Sequence, residues 1–296
     1  MTGRVGYVGL GAMGAPMLKR LAEGADKDSV LGFDADKEVT ARACADAGAT
    51  ACHSLEEIAL RADVLFTCLP NNAVLEQVYL GPGGVAGAIR PGSVTIDCST
   101  VGPDATRRVH AGLAEKGVAH LDASMLGSVA QAETGQISFV VGGEEDALAR
   151  VIGALQKVGG LIRYCGPSGS GNQMKLLHQT LVAGHAVAVA EAITLAKSVG
   201  ADVRTFYDIV TQGTGFAYSR YFEKRVPRME EGDFSALFML KFMLKDARLA
   251  ADMTPDKDLL PALGTVIETL QEGVEQGLGE EDFSAAMKVV AARFQV

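Results

Sequence analysis

The chain has 296 residues, 48% of them hydrophobic, which is enough to fill a sizeable core and excludes a disordered polymer. Its formal charge of -9 disfavours nucleic acid or an anionic membrane as the main partner, because both select concentrated Lys and Arg. A small molecule is the expected partner. The five cysteines are odd in number and show no CxxC or zinc-ligand spacing, which suits a reducing compartment and gives no reason to expect a metal.

The opening run MTGRVGYVGLGAMG lacks the apolar stretch and cleavage site of a signal peptide, and its apolar part is too short to cross a bilayer. Cytoplasm, with no membrane association, is the expectation. From residue 4 to about 165, short β-branched runs alternate with helical patterns, the signature of βαβ units and a mainly parallel sheet. Strands are predicted at Arg4–Val8, Val30–Asp34, Val64–Leu69, Val94–Ser99, Ala119–Ala123, Ile137–Val141 and Leu161–Cys165. Helices predicted between them include Ala15–Ala22, Ala105–Glu115 and Asp146–Val158.

The Gly/Ser/Pro cluster at 166–172 breaks this alternation. Beyond it, Met174, Leu177, Leu181, Ala188, Ala192 and Leu195 recur at helical spacing and predict one long helix over Asn172–Val199. Further helices are predicted at Val203–Thr211, Ala217–Arg225, Phe238–Met253, Ala262–Gln276 and Asp282–Phe294, with no strand. The expected fold class is therefore α/β: a Rossmann-type, doubly wound, mainly parallel sheet over residues 1–166, then an all-α domain over residues 167–296 built around the long helix.

The first predicted strand runs into Gly9-Leu10-Gly11-Ala12-Met13-Gly14, and a helical pattern opens at once. In that context GxGxxG is a dinucleotide signature: the glycines permit a tight turn and a close backbone approach, and the helix N-terminus offers N–H groups to a pyrophosphate. Asp34 ends the second predicted strand 20 residues after Gly14, placed to accept from both ribose hydroxyls. This favours NAD; NADP is disfavoured because Ala35, Asp36 and Lys37 bring a second acid and only one base for a 2′-phosphate.

Extended to Gly9-Leu10-Gly11-Ala12-Met13-Gly14-Ala15-Pro16-Met17, the motif looks like the GLGxMGxxM of the β-hydroxyacid dehydrogenases, the group holding 3-hydroxyisobutyrate and 6-phosphogluconate dehydrogenases, and the resemblance covers the whole chain. Cys68-Leu69-Pro70-Asn71 resembles the family loop that packs on the cofactor, implying contacts from Leu69 and Pro70. Asp97-Cys98-Ser99-Thr100 resembles the strand end whose threonine, here Thr100, approaches nicotinamide. Gly169-Ser170-Gly171-Asn172-Gln173-Met174-Lys175 looks like the family's GxGxxxK and implies Lys175 as the catalytic acid/base. Hydride addition to a carbonyl builds charge on oxygen, which an ammonium relieves by donating a proton. A free lysine, with a pKa of about 10.4, is a poor base at neutral pH, so burial is expected to matter.

The run from Phe238 to Ala250 resembles the family's FxxxLxxKDLxLA, which implies that Phe238 lines the substrate pocket, Lys245 approaches the cofactor and Asp246 organises the site. Two departures stand out. Where the family reads DAPVSGG, this chain has Asp122-Ala123-Ser124-Met125-Leu126-Gly127-Ser128, so Leu126 replaces a serine that helps hold a carboxylate, with Ser124 and Ser128 as candidate substitutes around Gly127. After the lysine, His178 and Gln179 stand where most members carry an asparagine; with His185 they look more like the L-threonate dehydrogenase branch. His178 and Gln179 share the helix face of Lys175 and are expected to contact substrate.

The resemblance implies an NAD(P)-dependent oxidoreductase acting on a small hydroxy acid or its semialdehyde, assembled as a homodimer or homotetramer. Ala183, Gly184, Ala186, Ala188 and Ala190 on the long helix permit the close packing this needs, in its own lobe or against a second subunit. Two alternatives stay open: reduction of a less acidic carbonyl or an imine, and a catalytically silent dinucleotide-binding protein.

Overall fold

The computed structural model describes residues 3–26 and 28–294; the expected outer domain limits, residues 1 and 296, lie outside the described residues. Two compact units divide the chain at Lys175 and Leu176, within one helix.

In the first unit, β1 (Val5–Val8), β2 (Val30–Phe33), β3 (Thr50–Ala51), β4 (Val64–Thr67), β5 (Val94–Asp97), β6 (Ala119–Leu126), β7 (Ile137–Gly142) and β8 (Gly159–Gly166) form one sheet in the order β3-β2-β1-β4-β5-β6-β7-β8. Its helices are α1 (Gly14–Ala22), α2 (Lys37–Ala47), α3 (Leu55–Arg61), α4 (Asn72–Leu80), α5 (Val85–Ala88), α6 (Pro103–Ala114), α7 (Val129–Thr134) and α8 (Glu145–Val158). Every residue of β1 and β5 is buried, as expected of strands covered on both faces. Met17, Leu18 and Leu21 of α1 join Val151 and Leu155 of α8 in one core cluster, while Ile58, Leu75, Tyr79, Val109 and Leu113 gather in another.

Strand order reverses beside β1, which pairs in parallel with β2 on one side and β4 on the other. All pairings are parallel except β6 with β7. The link between those two, residues 127–136, is shorter than the roughly twelve residues a parallel crossover needs, so the chain turns back.

The predicted strands and helices are all present, with shifted ends. β2, β4 and β5 stop before Asp34, Leu69 and Ser99 because those residues leave the ladder to enter loops, whereas β6 runs on to Leu126. β3, two residues long, carries no periodicity from which a strand is readable.

α9 (Ser170–Ser198) is the long helix, about 44 Å at 1.5 Å per residue. By length and composition alone it could cross a membrane, but half of its most apolar window is buried inside the protein. The second unit adds α10 (Val203–Gln212), α11 (Arg220–Glu230), α12 (Leu240–Ala251), α13 (Pro261–Glu275) and α14 (Ala286–Phe294). The helix expected at Ala217–Arg225 begins at Arg220 instead, because Ser219 caps it by accepting from the N–H of Phe222. The expected Asp282–Phe294 helix is a 3-10 turn followed by α14, since Asp282 is drawn into other work. Its buried carboxylate accepts from Arg225 Nε at 3.0 Å and from the main-chain N–H groups of Leu237 and Phe238, each at 3.1 Å. That tie sets the entry to α12.

Candidate functional site

The loop after β1 is fixed by two close approaches. Gly9 has φ +89°, and a Cβ there would fall 2.2 Å from the carbonyl oxygen of Cys68; a Cβ on Gly14 would fall 1.9 Å from the oxygen of Gly9. A Cβ on Gly11, between them, would meet nothing within 4 Å. Two glycines therefore serve the protein's own packing, and the third leaves space over the start of α1. No side chain caps α1, whose N-cap residue is Met13. Uncapped amides beside open space, with an acid at the next strand end, fit a dinucleotide pyrophosphate and ribose.

That acid is Asp34, and the structure shows what orients it. Its Oδ2 accepts from the Leu10 N–H at 2.7 Å and its Oδ1 from the Asp36 N–H at 3.0 Å. Asp36 is occupied as the cap of α2, accepting from Glu38 and Val39. Leu10 points its side chain into the core, while Gly11 and Ala12 are exposed.

The neighbouring strand ends are laced together in the same way. Leu69 donates its N–H to Ser99 Oγ at 2.7 Å, and the Ser99 hydroxyl donates to Asp97 Oδ1 at 2.5 Å. Thr67 Oγ1 reaches the same carboxylate oxygen at 2.7 Å. Asp97 thus ties the loop of Leu69 and Pro70 to that of Ser99 and Thr100. Its other oxygen is buried without a partner. Burial lifts the Asp97 carboxyl to about 6, against the downward pull of the Ser99 and Thr67 hydrogen bonds.

Lys175 lies on the second turn of α9 and is 9% exposed. The start of that helix is held by Asp122, whose Oδ1 accepts from the Gly169 N–H and Oδ2 from the Asn172 N–H, both at 2.8 Å. Burial raises the Asp122 carboxyl, and these N–H groups pull it back. A carboxylate at a helix N-terminus is favoured by the dipole, so the cost of burying it is offset where it is useful.

The segment 122–128 departs from expectation. Residues through Leu126 belong to β6, and Ser124 is fully buried, its hydroxyl 3.4 Å from the carbonyl oxygen of Ser99. Ser124, expected as a substrate donor, thus lies on a strand that continues where a loop was expected, with its hydroxyl turned to partners inside the protein. Leu126 is half-buried, Gly127 is exposed, and Ser128 caps α7 together with Gln131.

In the second unit, Gln179 Nε2 donates to Asp246 Oδ2 at 2.7 Å, His178 Nδ1 lies 3.1 Å from Gln179 Oε1, and Lys245 Nζ stands 3.1 Å from Asp246 Oδ1. Four expected residues thus form one chain of contacts around a buried carboxylate. Phe238 packs edge-on against Phe283, with ring centres 6.0 Å apart. A cavity of about 700 Å³ also opens in this unit, walled by Leu181, Met253, Leu259 and Leu263 with His185 among few polar groups. Among the described residues, no group of three or more His, Cys, Asp or Glu is placed to hold a metal.

Sequence reasoning singles out neither Asp97 nor Asp122 as a site residue. Each is the one acid in a buried strand, and that is the available signal.

Comparison with known proteins agrees with this geometry. Residues 4–166 match the family model of the NAD binding domain of 6-phosphogluconate dehydrogenase, and residues 169–290 match that for NAD-binding of NADP-dependent 3-hydroxyisobutyrate dehydrogenase. The 2-(hydroxymethyl)glutarate dehydrogenase of Eubacterium barkeri is 32% identical over 97% of this chain and 94% of its own. The L-threonate dehydrogenase of Cupriavidus necator is 32% identical over 98% and 96%. The structure of Mycobacterium tuberculosis 3-hydroxyisobutyrate dehydrogenase with L-serine superposes with a TM-score of 0.86 at 30% identity, covering 98% of this chain and 99% of that one.

Gly11→Ala should leave stability within about 0.5 kcal/mol of the parent while weakening binding of a reduced nicotinamide dinucleotide at least tenfold, about 1.4 kcal/mol. Gly14→Ala should cost about 1–3 kcal/mol in urea unfolding as well, because its Cβ meets backbone. For Asp97, the folded chain holds the proton more tightly than the unfolded one, so its contribution to stability is full below about pH 4 and falls as pH rises through about 6. A rise from the ordinary aspartate value to about 6 is worth about 3 kcal/mol. Urea unfolding from pH 4 to 7 should show that loss in the parent and a flatter curve in Asp97→Asn.

Proposed function

The chain belongs to the β-hydroxyacid dehydrogenase family, and on that footing we propose that it transfers a hydride between NAD and a small hydroxy acid or its semialdehyde, with Lys175 as acid and base. The observation that carries the reading is the nearly buried Lys175 on a helix whose start is held by a buried carboxylate, in the same unit as the Gly9–Gly14 loop. When bound, nicotinamide supplies or accepts the hydride. In the reducing direction the carbonyl carbon gains the hydride and Lys175 Nζ gives its oxygen a proton; in the oxidising direction the amine takes the hydroxyl proton back. Loop backbone at Gly9–Gly14 and the α1 amides would hold the pyrophosphate, Asp34 the ribose, and Leu69, Pro70 and Thr100 the nicotinamide end.

The relatives' names support the substrate class. Hydroxymethylglutarate and hydroxyisobutyrate both carry a hydroxymethyl group beside a carboxylate. Leu126, at the end of β6, favours a second reading in which the substrate is less acidic or differently anchored, since one hydroxyl donor is missing there and the Ser124 hydroxyl lies 3.4 Å from the carbonyl oxygen of Ser99. A lost hydrogen bond to a charged group is worth about 1.5–3 kcal/mol. NAD is preferred over NADP in this proposal because Asp34 would face a 2′-phosphate with negative charge. The exposed Leu177, Leu181 and Leu195 along α9 support a homodimer or homotetramer, whose mass sedimentation would read.

Lys175→Ala should bind NADH with little change and lose about 100-fold or more in turnover, the usual range for a general acid or base. Turnover at the parental rate would remove lysine from the mechanism. Asp34→Ala should narrow the preference for NADH over NADPH, read as the ratio of kcat/KM values; an unchanged ratio would assign selectivity elsewhere.

A further inference from the structure

Asn172 lies on the first turn of α9, three residues before Lys175, and its side chain is fully buried. The amide nitrogen faces the carbonyl oxygens of Ser99 and Val101, each at 3.2 Å, and Ser124 Oγ at 2.9 Å; the amide oxygen accepts from Thr106 Oγ1 at 2.9 Å. The reverse orientation would turn the oxygen towards two carbonyls. Its main-chain N–H is engaged as well, donating to Asp122 Oδ2. One residue therefore joins the start of α9 to the segment after β5, to β6 and to α6.

Capping alone does not call for this. Asp122 already satisfies the N–H groups of Gly169 and Asn172, so the side-chain amide is free to do something else. Its partners Ser99 and Val101 flank Thr100, and residues three apart on a helix share a face, so the side of α9 pressed on that segment is the side that carries Lys175. The segment before the helix contains Gly166 and Gly169, and Gly171 follows in the first turn, so this stretch has few side chains with which to pack.

We propose that Asn172 is a positioning residue, whose side-chain amide sets where the Lys175 ammonium stands relative to the loop carrying Thr100. The proposal deepens the reading of Lys175 as acid and base and rests on it. Without the amide, the carbonyls of Ser99 and Val101 lose their buried donor, and the first turn of α9 shifts to admit water.

The test uses the full chain with Asn172→Ala and, should that variant fail to fold, Thr106→Val, which removes one hydrogen bond at nearly constant shape. Lysines are reductively methylated and mapped by mass spectrometry. Lys175 should react about tenfold faster in Asn172→Ala, and by a smaller factor in Thr106→Val, with other lysines unchanged; a misplacement near 1 Å is expected to matter on this scale. In turnover, kcat should fall about 10- to 100-fold with KM and NADH affinity nearly constant, and the deuterium isotope effect with [4-²H]NADH should rise. A purely structural role would lower kcat through the active fraction alone, with isotope effect and Lys175 labelling unmoved, and would overturn the proposal. The two readings fail separately. No lysine-dependent turnover in the parent sinks the functional reading while labelling still decides the positioning; lysine-dependent turnover with parental labelling and rates in both variants sinks the positioning alone.

Discussion

The buried carboxylate of Asp122 is the contact on which the arrangement of the first unit depends. It sits on β6, fully inside the protein, and is held by main-chain N–H groups at the start of a 29-residue helix. An isolated buried charge is costly; here the partial positive charge of the helix end and two hydrogen bonds offset that cost. The surrounding backbone has been cleared for it: a Cβ on Gly142 would fall 2.6 Å from Asp122 Oδ1, and one on Gly171 2.9 Å from Oδ2. Sheet and helix are therefore locked at one point, and everything on the first turns of α9 inherits its place from that lock.

A second buried acid does related work on the neighbouring strand. Asp97 gathers Thr67 and Ser99, and Ser99 in turn holds the N–H of Leu69, so the loops after β4 and β5 are tied to each other. Asn172 then joins the β5 loop to α9. From the Leu10 N–H on Asp34 to the amide of Asn172, side-chain hydrogen bonds tie the strand ends of the first unit, alongside the apolar packing of Leu10, Leu69 and Val101. Directional bonds of this kind fix loops that the hydrophobic effect alone would leave free to slide. The Gly9 and Gly14 approaches serve the same end sterically, holding the first loop close to the sheet while Gly11 keeps it open above.

Much of this is legible in the sequence, for identifiable reasons. A strand such as β1 is buried on both faces and so reads as an unbroken apolar run; α9 shows its period because one side is packed and the other is not. The glycine loop and Asp34 carry a spacing that the chemistry of a dinucleotide requires. β3 is invisible because two residues have no period, and the extension of β6 to Leu126 is hidden because antiparallel pairing with β7 depends on a partner distant in sequence. That same pairing puts Ser124 inside the protein. Asp97 and Asn172 lie within recognisable motifs, yet their roles cannot be read there, since a buried network has no linear signature: its members come from β4, β5, β6, α6 and α9.

Deuterium transfer tests the account most directly. The protein would be incubated with [4-²H]NADH, each diastereomer in turn, and a panel of small carboxylate semialdehydes and oxo acids, with products analysed by mass spectrometry. One deuterium on the hydroxyl-bearing carbon of a product, from one diastereomer only, is the predicted result. NADH binding without deuterium in any product would contradict the assignment of hydride transfer to this site.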